Sequence, residues 1–118
     1  MWTLGEGARV YLACGSTDLR KSIDGLAAIV SQVLELDLFS NSRFVFCNRG
    51  RDKLKILVWD TNGFWLYYRR RERGRFCWPQ PVDPQTLTIS RRQLQWLLDG
   101  LTLEQKHAHA PVTARRVV

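Results

Sequence analysis

The fold of this chain is decided by residues 43–70, which read RFVFCNRGRDKLKILVWDTNGFWLYYRR. The stretch is rich in Val, Ile, Phe, Trp and Tyr, and turn residues divide it into three segments typical of β-strands. We predict consecutive antiparallel strands at Arg43–Asn48, Leu54–Asp60 and Phe64–Arg70. Asn62-Gly63 predicts a hairpin between the last two, because both central positions of a type I′ turn need positive φ.

The segment before these strands predicts one strand and one helix. Arg9–Cys14 is short, β-prone and stopped by Gly15, so we expect a first strand there. Asp18 is placed to cap a helix, because the apolar residues that follow recur every three or four positions. This helix, the longest expected, contains Gly25, which costs about 1 kcal/mol relative to Ala and indicates close packing against a sheet. Its apolar stripe comprises Leu19, Ile23, Leu26, Val30, Val33 and Leu34.

The segment after the three strands predicts a short strand, a connector and a second helix. A further strand of the meander is expected at Arg75–Trp78, after a glycine turn. Three prolines in residues 79–84 lack backbone donors and predict an extended connector. Ser90 and Gln93 have capping-box spacing, and the leucine-rich helix that they begin is expected to end at Gly100.

These elements predict one α+β domain over residues 1–104, followed by a flexible basic tail at 105–118. An antiparallel β-meander of about four to five strands packs with one long N-terminal helix and one short C-terminal helix. With a two-residue hairpin turn, one face of the sheet carries Leu54, Ile56, Val58, Trp65 and Tyr67. Since both faces are largely apolar, we expect both to be covered, by the two helices or by a partner protein.

The bulk composition indicates a cytoplasmic protein. At 118 residues and 45% hydrophobic content, the chain can bury one core. It has no apolar run long enough to span a membrane, and its start lacks the features of a signal peptide. Its three cysteines are odd in number and widely spaced, so we expect reduced thiols. It has no glycine-rich phosphate loop, and no cofactor is expected.

The positive charge is concentrated in the central block from Arg43 to Arg75. The whole chain has 18 Lys and Arg residues against 11 Asp and Glu, a net charge of +7. The central block has ten basic residues against three acidic ones, so it accounts for that entire net charge. This distribution favours a polyanionic partner, and the predominance of arginine suits bidentate contacts with phosphate or guanine.

Several motifs of the chain resemble those of one known family. They are Thr17-Asp18-Leu19-Arg20-Lys21-Ser22-Ile23-Asp24-Gly25-Leu26, Phe44-Val45-Phe46-Cys47-Asn48-Arg49, Arg51-Asp52-Lys53-Leu54-Lys55, Trp59-Asp60-x-Asn62-Gly63-Phe64 and Glu72-x-Gly74-Arg75-Phe76-x-Trp78-Pro79. From roughly Val10 to Gly100 the chain resembles the small accessory proteins (the TnpB, or second-open-reading-frame, type) of the insertion-sequence-66 (IS66) family of bacterial transposable elements. The resemblance implies a protein encoded beside a separate DDE-type transposase and needed for efficient transposition.

Two places in the chain depart from the pattern of that family. Arg71 stands where a Leu is expected, which makes its turn more basic. Arg91 and Arg92 stand where the last helix often begins with acidic residues. The helix dipole disfavours cations in a first turn by about 0.3 to 1 kcal/mol each, so a bound anion would relieve them. The alternative is two solvated arginines, which helix ends commonly tolerate.

We interpret the central block as a DNA-binding surface. Its two basic turns are expected at opposite ends of a strand, about 20 to 25 Å apart at about 3.3 Å per residue. The aromatic residues between them are either core or, where they face outward, able to stack on exposed bases; they are Trp59, Trp65, Tyr67 and Tyr68. The residues expected to contact nucleic acid are Arg49, Arg51, Lys53, Lys55, Arg69, Arg70, Arg71, Arg73 and Arg75, with Arg91 and Arg92 as auxiliaries.

The sequence leaves two competing classes of function to weigh. Asp18, Asp24, Asp52 and Asp60 could hold Mg²⁺ for a nuclease, but helix caps and hairpin turns explain them better. The pair His107-x-His109 falls in the predicted tail and is interpreted as solvated. We therefore expect no catalytic or metal site. The expected function is non-catalytic support of transposition by binding duplex DNA such as the element ends, and the cognate transposase is the expected protein partner. The alternative is a protein-interaction module that recruits or stabilises the transposase without direct DNA binding.

Overall fold

The described residues form a five-stranded sheet with a helix on each face, which confirms the α+β class. The computed structural model describes residues 8–80 and 85–104, so the predicted tail lies outside the described residues. The strands are β1 (Val10–Ala13), β2 (Arg43–Cys47), β3 (Lys53–Asp60), β4 (Gly63–Arg70) and β5 (Thr86–Ile89). The helices are α1 (Ile23–Ala28), which continues as a π-helical segment (Ile29–Val33), and α2 (Arg91–Leu98).

The sheet is mixed rather than wholly antiparallel. Its strand order is β4-β3-β2-β1-β5, so β1 lies between β2 and β5. β1 runs parallel to β2 and antiparallel to β5, while β2, β3 and β4 form the predicted antiparallel meander. A parallel pair needs a crossover connection, and α1 with its π-helical segment lies in it. The predicted meander is thus correct for three strands and wrong for the sheet as a whole.

The strand predicted at Arg75–Trp78 does not form. Phe76 and Trp78 are buried and Cys77 is exposed, so these residues do alternate as in a strand. Their backbone, however, joins a turn and not a ladder, because the Phe76 N–H donates to the Arg51 carbonyl at 2.7 Å. The remaining strand of the sheet is β5, which pairs with β1 after the proline-rich connector.

The two helices cover opposite faces of the sheet, as its two apolar faces predict. The cluster on the α2 side contains Val10, Leu12, Val45, Ile56, Leu94 and Leu97. The cluster on the α1 side contains Leu26, Val30, Phe44, Phe46 and Leu57. Burial of each such side chain is worth about 1.5 to 3 kcal/mol, and a one-residue slip would expose a whole set, so burial fixes the register.

The first helix begins later and is shorter than predicted. Asp18 does not cap it, because its carboxylate accepts hydrogen bonds from the backbone N–H and the guanidinium of Arg20, at 3.0 and 2.8 Å. This turn satisfies the carboxylate before the helix, and α1 starts after Ser22, which makes no side-chain cap. The close neighbour of Gly25 is also local. A Cβ built there would lie 3.0 Å from Cβ of Lys21, so the glycine makes room for that side chain and not for the sheet.

The β3–β4 hairpin forms, with its turn one residue earlier than predicted. Asp60 pairs with Gly63, so the two turn residues are Thr61 and Asn62. Thr61 has φ 58°, whereas Gly63 belongs to β4. Moving a two-residue turn by one position changes the register by two residues, which keeps every side chain on its face. The predicted assignment of side chains to the two faces is therefore correct.

The second helix has the predicted start and end. The Ser90 hydroxyl accepts a hydrogen bond from the Gln93 N–H at 3.0 Å, and the Gln93 side chain accepts one from the Ser90 N–H at 2.8 Å. Gly100 follows the helix with φ 83°, in the left-handed region that favours glycine. A Cβ at this position would also collide with the Arg71 guanidinium, the far end of a flexible side chain, which would have to shift.

Candidate nucleic-acid interface

The two basic turns of the sequence lie side by side at one end of the sheet. Antiparallel pairing brings the start of β3 beside the end of β4, so Lys53 is the partner of Arg70. Beyond these strands, the Arg71 N–H donates to the Asp52 carbonyl at 2.7 Å. The expectation of turns about 20 to 25 Å apart is wrong, because two successive strands, not one, separate them and return the chain to the same end.

We name this region the basic end and define it as residues 48–55 and 69–75. Within it, nine basic residues accompany two acidic ones, Asp52 and Glu72. All the predicted nucleic-acid contacts except Arg91 and Arg92 therefore come together in one place. Those two begin α2 directly after β5, whose last residue pairs with the first residue of β1, at the opposite end of the sheet.

Asn48 holds the β2–β3 turn of the basic end in shape. Its side-chain oxygen accepts hydrogen bonds from the N–H groups of Asp52 and Lys53, at 3.1 and 3.0 Å. Its amide donates to the Asp52 carboxylate at 2.8 Å, and that bond lowers the pKa of Asp52. These bonds support Arg51 at φ 61°, a left-handed conformation that non-glycine residues rarely adopt. The turn is thus fixed by internal bonds, and its carboxylate stays ionised.

Three cations of the basic end already have partners in the fold. The Lys55 ammonium donates to the carbonyls of Leu19 and Lys21, at 2.7 and 3.0 Å. The Arg71 side chain donates to the Arg73 carbonyl at 3.0 Å, and its guanidinium lies 5.7 Å from the centre of the Phe76 ring. Arg70 forms an exposed ion pair with Glu72 at 2.8 Å. These three side chains use part or all of their donor capacity within the protein.

Four other arginines of the basic end point their charge at solvent. Arg49, Arg69, Arg73 and Arg75 are exposed, and within residues 8–80 and 85–104 their side chains make no hydrogen bond or ion pair. Arg51 is half-buried, and Lys53 lies 3.6 Å from Asp52. The charge that remains available to a partner therefore comes mainly from these four guanidinium groups, one from the β2–β3 turn and three from the end of β4 and the turn that follows it.

The aromatic residues considered for base stacking differ in exposure. Trp59 is half-buried and packs edge-on against Phe39, with ring centres 4.9 Å apart. Trp65 and Tyr67 stack at 6.2 Å on the α2 face of β4. Tyr68 lies on the opposite face of the same strand, with 54% of its surface exposed. Trp65, Tyr67 and Tyr68 remain partly open because β4 is an edge strand of the sheet.

A cleft of about 1030 Å³ opens on the α1 side of the basic end. One wall is the segment 16–20, and the other is the β2–β3 turn at residues 48–50. The side chains of β3 and β4 that line it are Lys53, Lys55, Leu66 and Tyr68. Sequence reasoning missed this cleft because it assigned residues 18–20 to a helix. The motifs around Thr17-Asp18 and Asn48-Arg49 are the only signal that could have pointed to it.

Three of the four carboxylates weighed for a nuclease have structural partners instead, and the fourth, Asp24, is exposed in the first turn of α1. Asp18 binds Arg20, Asp52 binds Asn48, and Asp60 accepts hydrogen bonds from Thr61 and Trp65 at 3.3 Å each. In the part of the chain that the structure describes, no three His, Cys, Asp or Glu side chains lie close enough to hold a metal. No helix in this part is long and apolar enough to cross a membrane. The pair His107-x-His109 lies outside the described residues.

Comparison with known proteins links these features to one family. The family model described as IS66 Orf2 like protein matches residues 8–108. Two proteins of Sinorhizobium fredii (strain NBRC 101917 / NGR234) are similar to this chain. Uncharacterized protein y4hO is 38% identical over 97 residues, which cover 82% of this chain and 84% of that protein. Uncharacterized protein y4jC is 33% identical over 96 residues, which cover 81% of each. No solved structure shows a significant match.

Proposed function

Because the chain belongs to the IS66 Orf2-like family, we propose that it is a non-catalytic accessory protein of IS66-type transposition that binds duplex DNA through its basic end. The family supplies the context of transposition. One observation carries the DNA contact: two turns that lie far apart in the sequence combine their arginines on one surface. Phosphate contacts from such a surface provide affinity without sequence preference, through the release of counterions.

Basic side chains that are already bonded within the fold are less available to DNA than those exposed to solvent. Like charges held this close repel one another, and an approaching polyanion removes that cost. Lys55 and Arg71 are engaged by the fold, so their charged groups are less available. The proposed phosphate contacts are the four exposed guanidinium groups of Arg49, Arg69, Arg73 and Arg75, with Arg51, Lys53 and Arg70 beside them.

Titration of the pure protein with labelled duplex DNA at several salt concentrations tests the proposal. Four phosphate contacts predict a slope near −3.6 in a plot of log affinity against log salt, at about −0.9 per contact. The variant R49Q/R69Q/R73Q/R75Q should lose most of that slope and most of the affinity at low salt. Unchanged affinity and slope in this variant would show that DNA does not bind at the basic end.

Recruitment or stabilisation of the transposase, without direct DNA binding, is the second candidate. It is favoured by β4, an edge strand whose Trp65, Tyr67 and Tyr68 are partly exposed. Partly exposed aromatic residues on a sheet edge are typical of protein contacts. A pull-down with the cognate transposase, with and without nuclease treatment, separates the two functions. Capture that survives the nuclease favours a protein contact, and capture that is lost indicates a shared DNA tether.

A further inference from the structure

The cleft beside the basic end combines an exposed aromatic ring with cationic side chains, and we propose that it binds an unpaired nucleotide of single-stranded DNA. The inference rests on the proposed function, since it specifies a second form of DNA that the same end engages. The volume of the cleft, about 1030 Å³, is enough for more than one nucleotide. The chemistry of the lining supports both parts of such a ligand, the flat base and the charged backbone.

Tyr68 provides the surface for the base. Its ring lines the cleft together with Leu66, and 54% of the residue is exposed. Bases in a duplex are stacked and paired, so only an unpaired or extruded base can present its flat face to a ring in a cleft. Stacking of this kind tolerates every base, and Asn48, the one amide side chain of the lining, is already bonded within its turn.

Cations around the ring provide for the phosphates. The cleft is lined by one carboxylate, Asp18, and by the four basic side chains of Arg20, Arg49, Lys53 and Lys55. Asp18 and Arg20 neutralise each other through a two-bond pair, and Lys55 is held by backbone carbonyls. Arg49, which is exposed, and Lys53, 3.6 Å from Asp52, remain for the DNA backbone. Both lie within the turn or at its junction with β3, and both line the same cleft as the ring.

The walls of the cleft are fixed before any ligand arrives. The Thr17 N–H donates to the Cys47 carbonyl at 2.8 Å, which ties one wall to the end of β2. The Lys55 ammonium ties the same wall to β3 through the Leu19 carbonyl at 2.7 Å. The opposite wall is the turn that Asn48 holds. A preformed site avoids the cost of ordering loops on binding, so few contacts can give useful affinity.

A second, smaller cleft adjoins the first and could hold the continuation of a bound DNA strand. It measures about 320 Å³, shares Ser16, Asn48 and Arg49 with the first cleft, and extends to Trp78 and Pro79. Arg49 therefore stands between two adjoining clefts, where it can contact a phosphate between two nucleotides. An acidic peptide would satisfy the cations but not the ring, so the observations favour a nucleic-acid strand over a peptide.

Fluorescence anisotropy with three labelled ligands tests the inference: an oligothymidylate of about eight nucleotides, an abasic strand of the same length, and a duplex. The wild type should bind the oligothymidylate about tenfold more tightly than the abasic strand. Tyr68→Ala should abolish that preference and leave duplex binding unchanged, whereas Tyr68→Phe should keep it. Trp65→Ala, which removes a ring from the other face of the same strand, is the matched control and should also keep it. Arg49→Gln should weaken the binding of both single-stranded ligands.

Two results would overturn the inference. One is equal affinity of the wild type for the oligothymidylate and the abasic strand, a measurement that needs no variant. The other is displacement of the oligothymidylate by an oligoglutamate peptide as readily as by unlabelled oligothymidylate, which would assign the cleft to acidic peptides. If the duplex still binds in either case, the proposed function stands and only the cleft assignment fails. If neither the duplex nor the single strands bind, both fail.

Discussion

The two ends of the sheet both present exposed arginines, but they are built differently. At the basic end, two turns joined by backbone hydrogen bonds gather nine basic residues against two acidic ones. At the opposite end, which we name the hairpin end, Arg91 and Arg92 begin α2, and the buried Arg43 feels the charges of both Arg91 and Asp60. Burial lowers the pKa of Arg43, and Tyr67 and then Asp60 counteract this effect. The density of unneutralised charge, and not exposure of arginine alone, therefore distinguishes the candidate interface.

Removing the same charge from each end gives the strongest test of this comparison. The variant R73Q/R75Q should bind duplex DNA about 100-fold more weakly at about 50 mM salt, with a salt slope reduced by about 2. The variant R91Q/R92Q removes two exposed arginines from the hairpin end and should bind within about threefold of the wild type. Both are measured by anisotropy titration at several salt concentrations. A greater loss of affinity in R91Q/R92Q than in R73Q/R75Q would show that DNA binds at the start of α2 and not at the basic end.

Gly100→Ala tests whether Arg71 belongs to the fold rather than to the interface. The substitution strains a residue at φ 83° and pushes the Arg71 guanidinium away, so we expect a loss of about 2 to 3 kcal/mol in the free energy of unfolding. Gly63→Ala is the control, because a Cβ there meets no atom within 4 Å, and its effect should stay within about 0.5 kcal/mol. Urea unfolding measures both.

The double variant G100A/R71L separates the two causes of that loss. Leu at position 71 removes the collision but not the backbone strain, so the cost of Gly100→Ala should fall to about 1 to 2 kcal/mol in that background. Equal costs in both backgrounds would mean that the Arg71 guanidinium moves aside freely. Arg71 would then join the cations that are available to DNA.

Lys55→Met tests the other cation that the fold engages. The change leaves the carbonyls of Leu19 and Lys21 without their charged donor, and we expect a loss of about 2 kcal/mol in the free energy of unfolding. Lys53→Met, two residues earlier on the same face of β3, removes only an ion pair between partly exposed groups and should cost less than about 0.5 kcal/mol. Similar costs for the two variants would contradict the division into engaged and available cations.

The sequence predicted the elements better than their arrangement. Local signals set the meander strands, the hairpin and the α2 capping box, because each depends on residues a few positions apart. The position of β1 between β2 and β5 depends on pairing over long separations, which no local pattern records. Asp18 shows the limit of a local rule. It has the right type for a helix cap, but the nearby Arg20 guanidinium competes for its carboxylate.

Composition predicts which residues form the candidate site, but the predicted distance between its two turns is wrong. The charge block identifies the basic turns, but the expected distance between them assumes a single strand, whereas the chain runs out along β3 and back along β4. Local patterns do not predict the cleft, since its wall at residues 16–20 is held by hydrogen bonds to Cys47 and Lys55, both distant in sequence. The exposure of the β4 rings follows from their place on an edge strand, which is also a property of the assembled sheet.

The smallest effect is expected at the rim of the cleft, where Arg20 neutralises Asp18. Hydrogen bonds from the Arg20 side chain, and then from its backbone, hold the pKa of Asp18 well below its usual range. Because the folded pKa is the lower one, the pair stabilises the folded state above the ordinary carboxyl pKa, and this contribution is lost as the pH falls through the folded pKa.

Arg20→Gln should therefore raise the pKa of Asp18 toward about 4, as followed by an NMR titration of its side-chain carboxyl carbon. Arg92→Gln, at the far end of the sheet, should leave that pKa unchanged. A low pKa that persisted in Arg20→Gln would mean that the backbone N–H of residue 20 alone keeps the carboxylate ionised. The Arg20 guanidinium would then not be needed by Asp18, and it would count with Arg49 among the cations that the cleft can offer to DNA.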